Sequence, residues 1–141
     1  YVERDKLSEY AKSLCRTVYL PVLRSSGYDD QNAFDFADPA VISGDRRTST
    51  VATQALYLTN SPLVHDASNS LAKSLIAATP DQSPRHRTAW LIHHLLGREA
   101  TESERERGEN FVSSYPGEND SSPWAAFARA LFASNEFLYI E

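Results

Sequence analysis

Apolar residues recur at helical spacing through the second half of the chain. The stripe that begins after Pro62 has small or apolar members three or four positions apart: Val64, Ala67, Ser68, Leu71, Leu75 and Ala78. Ser61 stands where a helix N-cap is expected, Pro62 suits the first helical position, and Pro80 lies just beyond the stripe. The pattern predicts an amphipathic helix between Ser61 and Pro80.

A second helix is predicted after Ser83-Pro84, which repeats the same start signal. Its apolar positions comprise Leu91, Ile92, Leu95 and Leu96. Gly97 follows them directly, and glycine readily adopts the left-handed conformation found after the last turn of a helix. The second helix is therefore expected to end at Gly97.

Two more helices are predicted before the C-terminus. Thr101 and Glu104 have the spacing of a capping box, and the helix that they begin is expected to run to Tyr115, before a Pro-Gly break. Ser122-Pro123 starts the last helix. Its apolar face comprises Trp124, Phe127, Ala128 and Leu131.

The first fifty residues carry weaker patterns. Residues 1–15 have the apolar spacing of a short amphipathic helix, and residues 17–23 are rich in β-branched and aromatic side chains. Because Pro21 lacks an N–H donor, residues 17–23 are expected to form an extended arm or an edge strand. Residues 29–50 show no periodicity, and a loop of this length in a compact domain is usually functional or wraps the core.

Aromatic and acidic residues alternate within this loop, which includes the run Phe34-Asp35-Phe36-Ala37-Asp38-Pro39. A loop exposed to solvent gains nothing from such rings, whereas a loop that folds back onto a core removes them from water. Phe34 and Phe36 are therefore expected to be largely buried, and the loop is expected to be ordered.

Together these patterns predict an all-α fold. About five helices are expected to form a bundle over residues 51–141, preceded by the extended arm and the long ordered loop of residues 1–50. We interpret residues 1–141 as a single domain, because a chain of 141 residues is long enough for one core. The apolar tail over residues 137–140 is expected to dock on the bundle rather than remain in solvent.

Composition argues against two classes of partner. The net charge is −5, and an electrostatic grip on nucleic acid requires a basic surface. No apolar run approaches the ~18 residues of a membrane span, so we expect neither a nucleic-acid partner nor membrane insertion. The chain has no methionine, which indicates a fragment of a longer protein or a processed product.

No metal or cofactor site is predicted in this fragment. Cys15 is the only cysteine, so the chain lacks the motif that attaches a c-type haem. His86 and His93 lie on one predicted helix face near Trp90, and His94 points elsewhere. Zinc sites usually require three or four converging ligands, which these histidines do not supply. Cys15 is expected to be a buried thiol, because a buried cysteine is commoner than a nucleophile.

Several short motifs occur in the order typical of one family. They are Arg16-Thr17-Val18-Tyr19-Leu20-Pro21-Val22, Phe34-Asp35-Phe36-Ala37-Asp38-Pro39, Arg46-Arg47, Thr53-Gln54-Ala55-Leu56, Asn60, Leu96-Gly97-Arg98 with Thr101 and Glu104, and Ser134-Asn135-Glu136-Phe137-Leu138-Tyr139. On these motifs the chain resembles the C-terminal domain of unknown function 1553, found mainly in large planctomycete proteins. It departs from the family pattern at Val51-Ala52-Thr53 and at Ala100, where a proline is common.

The resemblance implies a cellular context rather than a reaction. Members of the family often carry an N-terminal cytochrome-c-like domain and a further domain of unknown function. The implied partners are therefore the preceding domains of the same polypeptide, and the implied location is outside the cytoplasm, in the periplasm or at the cell surface. Whether the chain belongs to an enzyme is left open.

Asp35 and Asp38, together with Arg46 and Arg47, allow two interpretations. Paired carboxylates serve as general acid and base or as metal ligands, so the four residues are candidates to line a cleft in an enzyme or a glycan-binding site. In the interpretation that we favour, the arginines neutralise the carboxylates and pin the loop. The chain is then a non-catalytic scaffold or interaction module.

Gln54 and Asn60 bracket a short apolar segment at the start of the predicted bundle. Their amides are candidate contacts for a ligand. Amides placed where a loop meets a helix more often satisfy backbone groups, and we expect that role for both residues.

One long-range ion pair is predicted. Arg98 and Glu136 each carry a charge at a turn-like break between apolar segments, where a lone charge would be costly. The planar guanidinium of arginine suits a carboxylate. We therefore predict that Arg98 and Glu136 pair, joining the turn after the second helix to the C-terminal segment.

Overall fold

The computed structural model describes residues 15–20, 33–34, 36, 42, 44, 51–116 and 121–139. The chain divides into two compact units, Tyr1–Gln54 and Ala55–Glu141. The interpretation of residues 1–141 as one domain stays a prediction.

Six α-helices account for most of the described residues. They are α1 (Val51–Asn60), α2 (Pro62–Ala78), α3 (Pro84–Leu96), α4 (Glu102–Ser114), α5 (Ser122–Phe132) and α6 (Asn135–Leu138). A short 3-10 turn lies at Thr17–Tyr19, and the described residues contain no strand. The prediction of an all-α bundle is confirmed. None of the described helices combines the length and apolar character needed to cross a membrane.

The capping signals in the sequence set the limits of α2 and α3. Ser61 is the N-cap of α2 with Pro62 in the first turn, although the Ser61 side chain makes no capping hydrogen bond. The Ser83 hydroxyl accepts a hydrogen bond from the His86 N–H at the start of α3. Gly97 has φ 71° and closes α3 in the left-handed conformation, as predicted.

Helix α4 begins with the predicted capping box. The Glu104 carboxylate accepts from the Thr101 N–H at 2.8 Å, and the Thr101 hydroxyl accepts from the Glu104 N–H at 3.4 Å. Two of the N–H groups that a helix start leaves unsatisfied are thereby paired. The helix ends at Ser114, one residue before the predicted limit.

The core of the second unit forms where α2, α3 and α5 meet. Its buried centre comprises Ala72, Leu75, Leu91, Trp124 and Ala125. Partly buried residues pack around that centre: Leu71, Ile76, Trp90, Val112, Phe127 and Leu131. Helix α4 packs on α3 and α5, and the short α6 packs on the same two helices. The expectation that the apolar tail docks therefore holds as far as Leu138.

Three expectations for the first fifty residues are wrong. Thr17–Tyr19 forms a 3-10 turn rather than an extended arm, because the Tyr19 N–H donates to the Arg16 carbonyl at 2.9 Å and needs no partner strand. Phe34 and Phe36 are 43% and 48% exposed rather than buried. Cys15 is exposed as well. Single exposed apolar side chains are ordinary on protein surfaces, so alternation with aspartate does not require a buried ring.

The other predictions for this region lie outside the described residues. They concern the helix before Cys15, the arm beyond Leu20 and most of the loop over residues 29–50.

Candidate functional site

The predicted cluster of Asp35, Asp38, Arg46 and Arg47 lies outside the described residues. Its two interpretations, a cleft with chemistry and a neutralised structural cluster, therefore stay predictions. The site that the described residues do display is centred elsewhere, on Arg98.

The two candidate amides lie on α1. Gln54 is buried, with 6% of its surface exposed. Asn60 is exposed, and its Nδ2 donates to the Leu56 carbonyl at 2.9 Å and to the Thr59 hydroxyl at 3.3 Å. The Leu56 carbonyl also accepts from the Thr59 hydroxyl at 3.0 Å, so both side chains bond to the backbone of the turn that precedes them. The Asn60 amide is thus bonded within its own helix, and the proposed roles of Gln54 and Asn60 stay predictions.

The histidines are arranged differently from the prediction. Trp90 stacks on His94, with the ring centroids 4.6 Å apart and the planes at 9°, because residues four apart lie on one helix face. His93 instead approaches the Glu99 carboxylate at 3.8 Å. In the part of the chain that the structure describes, no three His, Cys, Asp or Glu side chains converge as metal ligands would.

Arg98 lies directly after the cap of α3 and uses every N–H of its guanidinium. Nε and Nη2 donate to the two carboxylate oxygens of Glu136, the latter bond being 2.8 Å long. Nη2 and Nη1 donate to the Glu104 carboxylate at 2.7 and 3.0 Å, and Nη1 also donates to the Glu99 carbonyl at 3.1 Å. These contacts match the five N–H donors of arginine. The structure therefore brings together Arg98 and Glu136, and adds Glu104 between them.

Glu104 has two roles, because the same carboxylate closes the capping box of α4. Its Oε2 accepts from the N–H and the hydroxyl of Thr101 at 2.8 Å each, besides the bond from Arg98. The hydrogen bonds from Arg98, with those from Thr101, lower the pKa of Glu104 from 4.5 to about 2. Because the folded pKa lies below the unfolded one, the stabilisation is complete above pH 4.5 and is lost as the pH falls towards 2.

A second arginine joins α3 to α4. Arg85 donates to Glu102 and to Glu109, both at 2.7 Å, so one guanidinium spans two turns of the neighbouring helix. Arg87, on the same helix, donates to the carbonyls of Thr79 and Pro80 at 2.8 and 3.0 Å. Neither arginine was among the predicted site residues, although basic residues near the start of one helix and glutamates along the next were visible in the sequence.

Two leucines near the junction of α1 and α2 are exposed. Leu56 and Leu63, here called the apolar pair, keep 64% and 66% of their surface in solvent. The Ser61 N–H donates to the Tyr57 carbonyl and the His65 N–H to the Ser61 carbonyl, so α2 follows α1 with one extended residue between them. Backbone hydrogen bonds thus run through this junction, close in sequence to both leucines.

We expect double-mutant cycles to rank the two partners of Arg98. Glu104 is 22% exposed and Glu136 is 47% exposed, and solvent weakens the more exposed pair. The coupling of Arg98→Gln with Glu104→Gln should therefore exceed its coupling with Glu136→Gln in urea denaturation at pH 7. Couplings of zero for both pairs, or the reverse order, would contradict this ranking.

Comparison with known proteins identifies a family but no characterised relative. The model of the PSD1 family, described as a protein of unknown function (DUF1553), matches residues 2–112. No curated protein and no solved structure matches the chain significantly. Because the matched region covers well over half of the sequence, the chain belongs to the PSD1 family of proteins of unknown function (DUF1553).

Proposed function

We propose that this chain is a non-catalytic scaffold or interaction module within an exported, multidomain protein. The observation that carries the proposal is the apolar pair: two large aliphatic side chains, Leu56 and Leu63, stand mostly in solvent near the junction of α1 and α2. Removing such a side chain from water contributes about 1.5–3 kcal/mol. A partner that covers both leucines would gain from each.

The charged groups of the described residues support a structural role. An arginine that binds a substrate carboxylate or phosphate needs N–H donors to spare, and Arg98 has given all of its donors to the protein. A general acid requires a pKa near the working pH, whereas Arg98 holds the pKa of Glu104 at about 2. Arg98 and Glu104 therefore link helices to one another.

The partners that we propose are the preceding domains of the same polypeptide, with an exported location. The proposed partners and the proposed location both rest on the family resemblance. The apolar pair is the surface that we propose contacts the preceding domains. The alternative function, part of an enzyme or a glycan-binding site, rests on Asp35, Asp38, Arg46 and Arg47. Those four residues lie outside the described part of the chain, and the alternative stays a prediction.

Binding in trans tests the proposal. We expect residues 1–141 to bind the remainder of the full-length polypeptide in isothermal titration calorimetry, and Leu56→Ser with Leu63→Ser to weaken binding at least tenfold. Asn69→Ser is the matched control, because Asn69 is exposed on α2 and is not apolar. Absence of binding, or equal affinity of the double variant and the parent, would overturn the proposal that the chain is an interaction module. Recovery of the full-length protein only in the cytoplasmic fraction of its cells would overturn the exported location.

A further inference from the structure

We propose that α6 is a detachable latch, held closed by the single guanidinium of Arg98 against the mutual repulsion of Glu104 and Glu136. The latch lies at the C-terminal end of the second unit, whereas the apolar pair lies near the start of that unit. The latch is a conformational device with a closed and an open state.

The packing of α6 is slight, which is the first requirement of a latch. The helix has four residues, and none of them is buried. Phe137 meets Phe132 edge to face, with ring centroids 5.0 Å apart, yet keeps 36% of its surface in solvent. Segments with few buried apolar contacts open locally at the lowest free energies. Opening of α6 would uncover Phe132 and the surfaces of α3 and α5 beneath it.

The charges around Arg98 supply the second requirement. Nη2 of Arg98 donates to both carboxylates, at 2.7 Å to Glu104 and 2.8 Å to Glu136, so two negative groups share one donor atom. The hydrogen bond from Arg98 lowers the pKa of Glu136, and the negative charge of Glu104 opposes that shift. Without the guanidinium, the carboxylates face each other uncompensated, and like charges at this range repel.

The capping box decides which carboxylate moves. Glu104 is held by the N–H and the hydroxyl of Thr101 and belongs to the first turn of α4. Glu136 belongs to α6, and its two carboxylate oxygens accept from Nε and Nη2 of Arg98. Repulsion therefore displaces α6 and leaves α4 in place. Because of this asymmetry, α6 is the segment that moves, and Arg98 is the residue that holds it closed.

The rate of amide hydrogen exchange at Tyr139 measures how readily α6 opens. The Tyr139 N–H donates to the Asn135 carbonyl at 2.9 Å, the bond that closes α6. In the full chain at pH 7, we expect Arg98→Gln to accelerate this exchange at least tenfold. Glu136→Gln should accelerate it less, because it removes the tether without leaving repulsion. Arg98→Gln with Glu104→Gln should fall to the level of Glu136→Gln, because glutamine preserves the capping box.

Glu106→Gln is the matched control, since it removes one exposed negative charge from α4 outside the contacts of Arg98. It should leave the Tyr139 exchange unchanged. Unchanged amide exchange inside α3 and α5 shows that each variant is folded. Tyr139 exchange within twofold of the parent in folded Arg98→Gln would overturn the latch, and so would a double variant that exchanges as fast as Arg98→Gln. If Arg98→Gln does not fold, Glu136→Gln decides: exchange equal to that of Glu106→Gln overturns the proposal.

Discussion

We expect Leu75→Ala to lower the free energy of unfolding by about 2–5 kcal/mol, the range typical of a leucine removed from a packed core. Leu75 has no exposed surface and lies in the cluster where α2 meets α3 and α5. Its neighbours Leu91 and Trp124 belong to two other helices, so a cavity at residue 75 weakens contacts among all three. The loss combines the lost burial of the side chain with the cavity left behind.

Urea denaturation followed by far-ultraviolet circular dichroism measures this loss. Leu63→Ala is the matched control, because it makes the same substitution on the same helix at a side chain that is 66% exposed. Its effect should stay within about 0.5 kcal/mol, as for most surface substitutions. Equal losses in the two variants would show that α2 does not bury Leu75 as described.

Gly108→Ala should destabilise the protein by a net amount of about 1–2 kcal/mol, the cost of overpacking less the gain in helix propensity. Alanine in the middle of a helix ordinarily stabilises by about 1 kcal/mol relative to glycine. At Gly108, however, a Cβ atom would lie 2.3 Å from Cγ2 and 2.4 Å from Oγ1 of Thr88. Thr88 is fully buried and donates to the Pro84 carbonyl at 2.9 Å, so its side chain has no free space into which to turn.

Gly108→Ala therefore disrupts the contact between α3 and α4. Thermal and urea denaturation of Gly108→Ala measure the loss, with Asn110→Ala as the control for propensity on the exposed face of α4. Thr88→Ala removes two of the three clashing atoms, so the double variant should lose less than the sum of the two single variants. A Gly108→Ala variant more stable than the parent would show that the helices do not approach as closely as described.

Helix positions followed from local signals because capping is a local interaction. Ser83, Gly97 and the pair Thr101–Glu104 each satisfy backbone groups within a few residues of themselves. The predictions that failed concern residues without a capping signal. Burial of Phe34 and Phe36 was inferred from hydrophobicity alone, and hydrophobicity does not say which surface a ring will meet.

The contacts of Arg98 likewise include one that the sequence predicted and others that only the fold reveals. Charge and turn position were enough to link Arg98 with Glu136, thirty-eight positions away. The third member, Glu104, was recognised only as a cap, because sequence spacing cannot show that one carboxylate serves a helix start and a guanidinium together. The hydrogen bonds of Arg85 to Glu102 and Glu109 likewise depend on how α4 lies along α3.

The sequence by itself determined the all-α class, the limits of α2 to α4 and the residues of the apolar stripes, because hydrogen bonding and side-chain periodicity within a helix depend on neighbours in the chain. Only the tertiary structure decided that Gly108 must remain small, that Arg98 joins three segments, and that Leu56 and Leu63 stay in solvent. Those properties depend on the distances between helices and on which faces remain uncovered. Such distances are set by the packing of the whole bundle, and no local pattern encodes them.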